Sequence, residues 1–269
     1  MQHFSGKRAL ITGAGSGIGA LLAKQLAHFG ASVIVTARRK AAATQVVKDI
    51  RAAGGDAHAM VLDVSKLGSF AAFREQLHAD HGTIDILINN AGVVFGGEFE
   101  QVALEQHLDT FNINATGLMA LTHTLLPDLL RSPRAWLVNI SSASAFIGLP
   151  FGSTYAASKW AVLGFSESLR LELKERGYSN VTVTSICPSY ISTGMFDGVK
   201  SPLLSPMLTP EKVVKSILRG MIKGTPIVQE PPMVGSIDLM KGLLPRPLWD
   251  EVAKRSGIST SMRHWRGKS

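Results

Sequence analysis

The chain has 269 residues, of which 45% are hydrophobic and 18% are charged, and its formal net charge is +8 at pH 7. No apolar run reaches the ~18 residues that a membrane-spanning helix needs, and the first ten residues lack the apolar core of a signal peptide. We therefore expect a cytoplasmic protein with no integral membrane segment.

Apolar, strand-like runs alternate along the chain with runs of helical periodicity. The predicted strands cover 8–12, 31–37, 57–64, 84–92, 134–142, 180–188 and 225–230. The predicted helices between them cover 17–30, 40–53, 66–81, 115–130 and 153–176. Because strands that alternate with helices form βαβ units, the pattern predicts an α/β protein. We expect one domain over 1–269, a doubly wound Rossmann fold whose mainly parallel, seven-stranded sheet carries helices on both faces.

Two segments depart from this alternation. The run 189–209 is apolar and rich in proline, so we predict a lid region, extended to 224, over a substrate pocket. The tail, 231–269, holds seven Lys/Arg and three acidic residues. No zinc-finger or RNA-recognition signature accompanies this charge, so we predict no nucleic-acid partner. The charge favours a solvated basic tail, and the mixture of apolar and basic residues favours a packed tail over a weak membrane-surface contact; a cover over a partner's pocket stays open.

The single cysteine, Cys187, lies in the apolar run "VTVTSICP". One cysteine cannot form an internal disulfide, and an apolar strand favours a buried, unreactive thiol. We predict no metal site.

The glycine-rich stretch "TGAGSGIG" follows the first predicted strand and opens the first helix. Gly13 allows a tight turn, while Gly17 and Gly19 allow backbone, phosphate and helix to approach closely. The free N–H groups at the start of the helix would then face a pyrophosphate. This context predicts a dinucleotide-binding site.

The end of the second strand indicates which dinucleotide is bound. A bare adenosine ribose is usually held there by an acidic residue, but this chain has Ala37 followed by Arg38, Arg39 and Lys40. Arginine suits a 2′-phosphate, so we predict NADP(H), with a basic, solvated helix start as the alternative. Asp63, at the end of the third strand, could either contact adenine or cap the next helix.

A set of short motifs, in order and at normal spacing from about residue 5 to about 230, resembles the classical short-chain dehydrogenase/reductases. These motifs are Thr12–Gly19, Asn89–Gly92, Asn114 with Gly117, Ser142, and Tyr155 with Lys159 four residues later. One departure is Pro188-Ser189, where the family usually has Pro-Gly. The loop after Thr193 and the tail look most like the branch of retinol and long-chain hydroxysteroid dehydrogenases.

The resemblance implies an oxidoreductase whose catalytic residues are Asn114, Ser142, Tyr155 and Lys159. It implies a cofactor site made of Gly13, Ser16, Gly17, Ile18, Gly19, Arg38, Arg39, Asp63, Val64, Asn90, Ala91, Gly92, Tyr155, Lys159, Pro188, Ile191 and Thr193. It also implies a homodimer or homotetramer built on the helices around 115–130 and 153–176. Asn114 would position a water that links Lys159 to solvent.

The spacing of Tyr155 and Lys159 places both side chains on one helix face. A neighbouring ammonium favours the phenolate, so we expect Lys159 to lower the pKa of Tyr155 from near 10. Tyr155 would then exchange a proton with the substrate oxygen, and Ser142 would stabilise the charge that develops there.

The predicted substrate-binding residues are Ser142, Val94, Phe146, Tyr155, Met195 and Phe196. Further apolar candidates for the pocket wall are Val93, Phe95, Ile147, Leu149, Phe151, Leu203 and Leu204. They favour a lipophilic alcohol, ketone or aldehyde of steroid, retinoid or long-chain type, unless several of them belong to the core or a subunit interface. The alternatives are a 3-oxoacyl-thioester reductase and a dinucleotide-binding regulator without turnover.

Overall fold

The computed structural model describes residues 2–202 and 206–267. Seven strands within these residues form one sheet in the order β3-β2-β1-β4-β5-β6-β7, and every neighbouring pair is parallel. The strands are β1 Arg8–Ile11, β2 Ser32–Ala37, β3 Asp56–Val61, β4 Ile86–Asn89, β5 Ala135–Ile140, β6 Val181–Pro188 and β7 Ile227–Glu230. This arrangement confirms the predicted parallel, seven-stranded sheet.

Helices cover both faces of the sheet. The α-helices are α1 Gly17–His28, α2 Lys40–Ala52, α3 Phe70–His81, α4 Leu104–Phe111, α5 Gly117–Arg131, α6 Ser153–Glu175, α7 Pro210–Lys223, α8 Ser236–Leu243 and α9 Arg246–Arg255. Successive residues of a strand point to opposite faces, so Ile11 packs with α1, α2 and α7, whereas Leu10 packs with α3, α5 and α6. The two apolar cores that result fix the sheet between its helices.

The strand order reverses at β1, which pairs with β2 on one side and β4 on the other. Connections that leave neighbouring parallel strands in opposite directions open a crevice at the carboxyl edge of the sheet. The glycine loop after β1 and the Asn-Asn-Ala-Gly segment after β4 meet at this crevice, which positions the site described below.

The sequence pattern missed four helices, α4, α7, α8 and α9. In α4, Leu104 and Leu108 are 66% and 60% exposed, so its apolar residues do not mark a buried face. A π-helical segment, Asn112–Thr116, then joins α4 directly to α5. Helix α7 has a clear start, since Thr209 accepts a hydrogen bond from the N–H of Lys212 and Pro210 is its first residue.

The predicted lid region therefore contains a regular helix, because α7 occupies 210–223 and packs against α1. Leu203 and Leu204, two of the predicted lid residues, lie outside the described residues. Cys187 is fully buried in β6, as predicted. Within residues 2–202 and 206–267, every helix is too short or too polar to span a lipid bilayer.

Candidate active site

The loop between β1 and α1 depends on glycine because other backbone lies against it. Gly13 has a φ of +64°, and a Cβ added there would lie 2.8 Å from Ala91 Cα. A Cβ at Gly19 would lie 2.5 Å from the side-chain nitrogen of Asn90. Ser16 precedes α1 and makes no capping hydrogen bond through its side chain. The start of α1, with Gly17 and the half-buried Ile18, therefore keeps its N–H groups free of a side-chain cap.

Hydrogen bonds join the ends of β1 and β4 across the crevice. Asn90 Nδ2 donates to the carbonyl oxygen of Thr12 over 2.8 Å, and Thr12 Oγ1 accepts from the N–H groups of Asn90 and Ala91, each over 3.0 Å. A Cβ at Gly92 would lie 3.2 Å from Asn114 Oδ1 and 3.7 Å from Lys159 Nζ. The segment after β4 thus runs from the glycine loop to the residues of α6.

At the other end of the crevice, the structure exposes the basic residues after β2. Arg38 and Arg39 are exposed, and neither forms a salt bridge with any residue in the described part of the chain. Asp63 Oδ1 accepts from the N–H of Ser65 over 3.0 Å and from Ser65 Oγ over 2.8 Å. These two hydrogen bonds form a local turn. They leave the second carboxylate oxygen of Asp63, Oδ2, without a hydrogen bond inside the described chain.

The buried side chains of Ser142, Tyr155 and Lys159 converge where β5 ends and α6 begins. The Ser142 hydroxyl accepts from the N–H of Ser144 over 3.1 Å, and its interaction with Tyr155 favours the phenolate form of the tyrosine. Lys159 Nζ donates to the carbonyl oxygen of Ile140 over 2.8 Å and lies 5.6 Å from the centre of the Tyr155 ring. The three groups therefore share one small, poorly solvated volume.

Burial dominates the acid–base properties of this pair. It raises the pKa of Tyr155 well above its usual value, and the interaction with Ser142 opposes this only in part. It lowers the pKa of Lys159 to about 8. The predicted lowering of the Tyr155 pKa by Lys159 is therefore wrong for the polypeptide alone, because the loss of hydration on burial is the largest influence on this pKa.

Asn114 lies in the π-helical segment and braces two parts of the site. Its Oδ1 accepts from the N–H of Val93 over 2.8 Å, while its Nδ2 donates to the carbonyl oxygen of Val93 over 2.9 Å and to Ser158 Oγ over 3.0 Å. The carbonyl of Val64 packs against Gly117, one turn further along. Both amide hydrogens of Asn114 are used in this way, so its side chain has no donor left for a water.

The chain after β6 returns to the glycine loop. Pro188 and Ile191 are buried, and Ile191 forms a parallel bridge with Leu208. The Thr193 side chain lies 3.8 Å from the position a Cβ would take at Gly17. The predicted cofactor-binding residues after β6 thus lie near the glycine loop, with Thr193 next to the start of α1.

A cavity of about 150 Å³ opens beside Ser142 and Tyr155. Phe196, Ile147 and Leu149 also line it, whereas three predicted substrate-binding residues lie outside its wall. Val94 packs against Leu149 and Tyr155, Phe146 packs with Cys187 and Val234, and Met195 lies near Trp265, whose Nε1 donates to its carbonyl oxygen. These three side chains therefore pack near residues of the cavity wall without lining the cavity themselves.

The tail supplies much of the cavity wall, which the sequence analysis did not predict. These residues are Met233, Val234, Ser236, Ile237, Met240, Trp249, Val252, Ser256, Ile258 and Ser261. Ile237, Met240, Trp249 and Val252 of "SIDLMKGLLPRPLWDEV" were the available signal, because apolar side chains favour a packed position. Part of the tail therefore lines the cavity, while Leu239, Leu243 and Leu248 stay exposed.

Comparisons with known proteins agree with this geometry. Residues 7–203 match the family described as short chain dehydrogenase. A ketoacyl reductase of a Nostoc species is 36% identical over 196 residues, which cover 72% of this chain and 67% of that protein. Epidermal retinol dehydrogenase 2 of Mus musculus is 35% identical over 206 residues, which cover 76% of this chain and 67% of that protein.

Two solved structures share the fold over nearly the whole chain. The short chain dehydrogenase/reductase from Burkholderia phymatum, in complex with NAD, has a TM-score of 0.81 and 24% identity and covers 96% of this chain and 98% of its own. The short-chain dehydrogenase from Sphingobium yanoikuyae, in complex with NADPH, has a TM-score of 0.77 and 28% identity and covers 95% and 97%. These likenesses extend past residue 203 into the tail.

Proposed function

Because this chain belongs to the short-chain dehydrogenase family, we propose that it is an NADP(H)-dependent oxidoreductase that interconverts a lipophilic alcohol and its ketone or aldehyde. One observation carries the proposal. The hydroxyls of Ser142 and Tyr155, with Lys159 beside them, lie at the edge of a mainly apolar cavity. A carbonyl oxygen placed between the two hydroxyls receives two donors, while the rest of the substrate contacts apolar side chains.

The polypeptide's part in the reaction is to hold the substrate oxygen and move one proton. In reduction, Tyr155 Oη gives its proton to the carbonyl oxygen, while Ser142 Oγ stabilises the charge that develops there. The raised pKa keeps Tyr155 protonated at neutral pH, which suits it to this role. Lys159 carries an ammonium group below about pH 8 and so favours the phenolate that forms. A bound nicotinamide dinucleotide supplies or accepts the hydride.

The residues at the crevice fit such a cofactor. The backbone at Gly13 leaves no room for a Cβ, and the start of α1 lacks a side-chain cap, as a bound pyrophosphate requires. Arg38 and Arg39 are exposed and free of salt bridges with the described residues, while Ala37 offers no carboxylate to a ribose. A 2′-phosphate would supply the missing partner of the two guanidinium groups, which supports NADP(H) over NAD(H).

The shape of the cavity supports a partly enclosed, lipophilic substrate. An apolar cavity of about 150 Å³ can hold a molecule the size of benzene. A longer substrate must therefore continue past Met233 and Met240, which line the cavity and are 40% and 39% exposed. A 3-oxoacyl-thioester reductase is the second candidate, since three of the relatives are named as ketoacyl reductases. A regulator without turnover is disfavoured by the intact Ser142, Tyr155 and Lys159.

The test is a panel of carbonyl substrates, run with NADPH and with NADH and followed at the nicotinamide absorbance. We expect bulky apolar carbonyls to be reduced with NADPH and small polar ones to be poor substrates. Tyr155→Phe should lose at least about a thousandfold in kcat/KM, since it removes the proton donor. Tyr178→Phe, which changes a tyrosine outside the cavity, should keep the activity. Equal turnover by Tyr155→Phe and the parent protein would refute the proposal.

The predicted homo-oligomer is part of the proposal. Leu104, Leu108 and Phe111 are exposed apolar residues at positions i, i+4 and i+7 of α4, so they lie on one face of that helix. A face of this kind supports pairing with a second copy of the chain. The cytoplasmic location stays a prediction.

A further inference from the structure

The two helices of the tail carry apolar side chains that point to solvent. Leu239 and Leu243 of α8 are 64% and 73% exposed, and Leu248 of α9 is 51% exposed. Leu239 and Leu243 are four residues apart, so they lie on one face of α8. Single exposed leucines are common, whereas several in one short segment indicate an interaction site. We refer to these three leucines as the tail patch.

The tail patch lies beside the mouth of the cavity. Met233 and Met240 line the cavity and are also partly exposed, so the cavity reaches the surface of the protein at these two residues. Ile237, one turn before Met240, lines the cavity as well. One side of α8 therefore covers the cavity, while Leu239 and Leu243 on the adjacent side face solvent.

Basic residues accompany the tail patch. Arg246 is exposed, follows Leu243 by three residues, and forms no salt bridge with any residue of the described ranges. Arg255 lies seven residues after Leu248, on the same face of α9, and pairs with Glu251 one turn earlier. The tail as a whole has seven Lys/Arg and three acidic residues. Exposed apolar groups and an excess of positive charge thus occur in the same segment.

This combination favours one kind of partner. A second copy of the chain would bring the same positive charge to the interface, and the face of α4 already supports that pairing. A nucleic acid would bind the arginines through its phosphates and leave the leucines in water. An anionic lipid bilayer offers acyl chains to the leucines and phosphate groups to the arginines.

We infer that the tail patch binds the surface of an anionic lipid bilayer, with the mouth of the cavity facing the lipid. A lipophilic molecule dissolved in the bilayer could then enter the cavity past Met233 and Met240 without crossing water. This route rests on the proposed function, since it assigns the cavity to the substrate. The binding of the tail patch to a bilayer does not depend on it.

Cosedimentation with lipid vesicles tests the inference without substrate or cofactor. The probes are vesicles of phosphatidylcholine alone and of phosphatidylcholine with about 30% phosphatidylserine, at about 0.1 M salt. We expect the wild-type protein to bind the anionic vesicles at least about tenfold more tightly than the neutral ones. Leu243→Ser should weaken binding to the anionic vesicles about tenfold, because it removes an inserted apolar side chain. Arg246→Gln should weaken the same binding about fivefold, because it removes one positive charge.

The matched control is Leu67→Ser, which changes an exposed leucine that follows β3, at the opposite edge of the sheet from the tail. It should bind the anionic vesicles as the wild type does. The three variants change exposed side chains, so their melting temperatures should stay within about 2 °C of the wild-type value. A weaker binding in Leu243→Ser therefore reports the loss of a lipid contact and not a loss of folded protein.

Equal binding of the wild type to both kinds of vesicle, or wild-type binding by Leu243→Ser, would overturn the inference. Analytical ultracentrifugation without lipid examines the second copy as the occupant. Self-association that Leu243→Ser abolishes, together with no vesicle binding by the wild type, would assign the tail patch to that pairing and also overturn the inference. Vesicle binding by a protein that reduces no carbonyl would refute the proposed function and leave the role of the tail patch intact.

Discussion

Tyr155 and Lys159 illustrate what a sequence can say about single residues. Their spacing places them on one face of α6, and the structure has them there with the Lys159 ammonium 5.6 Å from the Tyr155 ring centre. The sequence carries no measure of how much water each group loses on folding. Because burial disfavours the charged form of each group, it moves the pKa of the tyrosine up and that of the lysine down.

The lowered pKa of Lys159 predicts a pH-dependent stability. An unfolded chain holds this proton up to its ordinary pKa of 10.5, whereas the folded chain releases it near pH 8. Between these values the unfolded state binds more protons, so the free energy of unfolding rises with pH. The wild type should gain about 2 kcal/mol relative to Lys159→Met between about pH 7 and about pH 9.5. Urea unfolding at the two pH values measures the difference.

The control for this experiment is Lys174→Met, which changes an exposed lysine on the same helix. Its stability relative to the wild type should not depend on pH over this range. The measurement stays below about pH 10, where the raised pKa of Tyr155 begins to act in the opposite direction. A difference for Lys159→Met that is constant with pH would show that Lys159 titrates normally in the folded protein.

At the residue scale, the proposed preference for NADP(H) depends on Arg38. Arg38→Ala removes a guanidinium that has no salt bridge within the described residues. We expect the ratio of kcat/KM with NADPH to that with NADH to fall by about tenfold to a hundredfold, the value of a charge-assisted contact. Lys48→Ala removes the same charge from an exposed position further along α2 and should leave the ratio unchanged. If Arg38→Ala keeps the parent's ratio, the NADP(H) assignment loses its main support.

At the scale of elements, periodicity predicted most strands and helices well because buried strands and amphipathic helices repeat with different periods. The exceptions have physical reasons. Helix α4 exposes the apolar residues that would normally mark its buried face, and the π-helical segment Asn112–Thr116 has no signature in the spacing of apolar residues. That segment holds Asn114 against Val93. A motif predicted the residue, but the spacing of apolar residues did not predict the irregular helix that positions it.

Gly117 allows this irregular helix to lie against the end of β3. A Cβ at Gly117 would collide with the carbonyl of Val64, which is backbone and cannot turn aside. We expect Gly117→Ala to destabilise the protein by about 3 kcal/mol, despite the better helix propensity of alanine. Gly164→Ala, at an open position in α6, should be neutral or stabilising. Thermal unfolding compares the two variants, and similar melting temperatures would contradict the proposed close contact.

At the scale of the whole molecule, the tail helps to shape the cavity beside Ser142 and Tyr155. The motifs that identify the family end before it, and the family match ends at residue 203. Yet residues from Met233 to Ser261 form about half of the cavity wall. Motif spacing locates groups that react, but it does not show which distant segment folds back over them. For this reason the motifs could indicate that Ser142, Tyr155 and Lys159 lie together, as they do in the structure, but they could not show which segments complete the pocket.

Lys241 joins this tail to the loop between Ser142 and Tyr155. Its Nζ donates to the carbonyl oxygen of Phe146 and lies 4.8 Å from the ring centre of Trp160, whose Nε1 in turn donates to the carbonyl oxygen of Ser144. One side chain thus connects α8 to the segment that carries the hydroxyls of the site. Because a hydrogen bond and a cation–π contact together contribute about 1–2 kcal/mol, losing them should raise the population of an open tail roughly tenfold.

Lys241→Ala should therefore let the tail separate from the cavity more often. We expect chymotrypsin to cut within residues 231–267 several times faster in the variant than in the wild type. The KM for an apolar carbonyl should rise. The kcat should stay within about twofold, since Ser142, Tyr155 and Lys159 are unchanged. Lys254→Ala removes an equal charge from an exposed position on α9 and should change neither quantity. Faster cleavage with an unchanged KM would mean that the tail covers the cavity without helping to bind the substrate. Unchanged cleavage would mean that the apolar contacts of Val234, Ile237 and Trp249 hold the tail in place without Lys241.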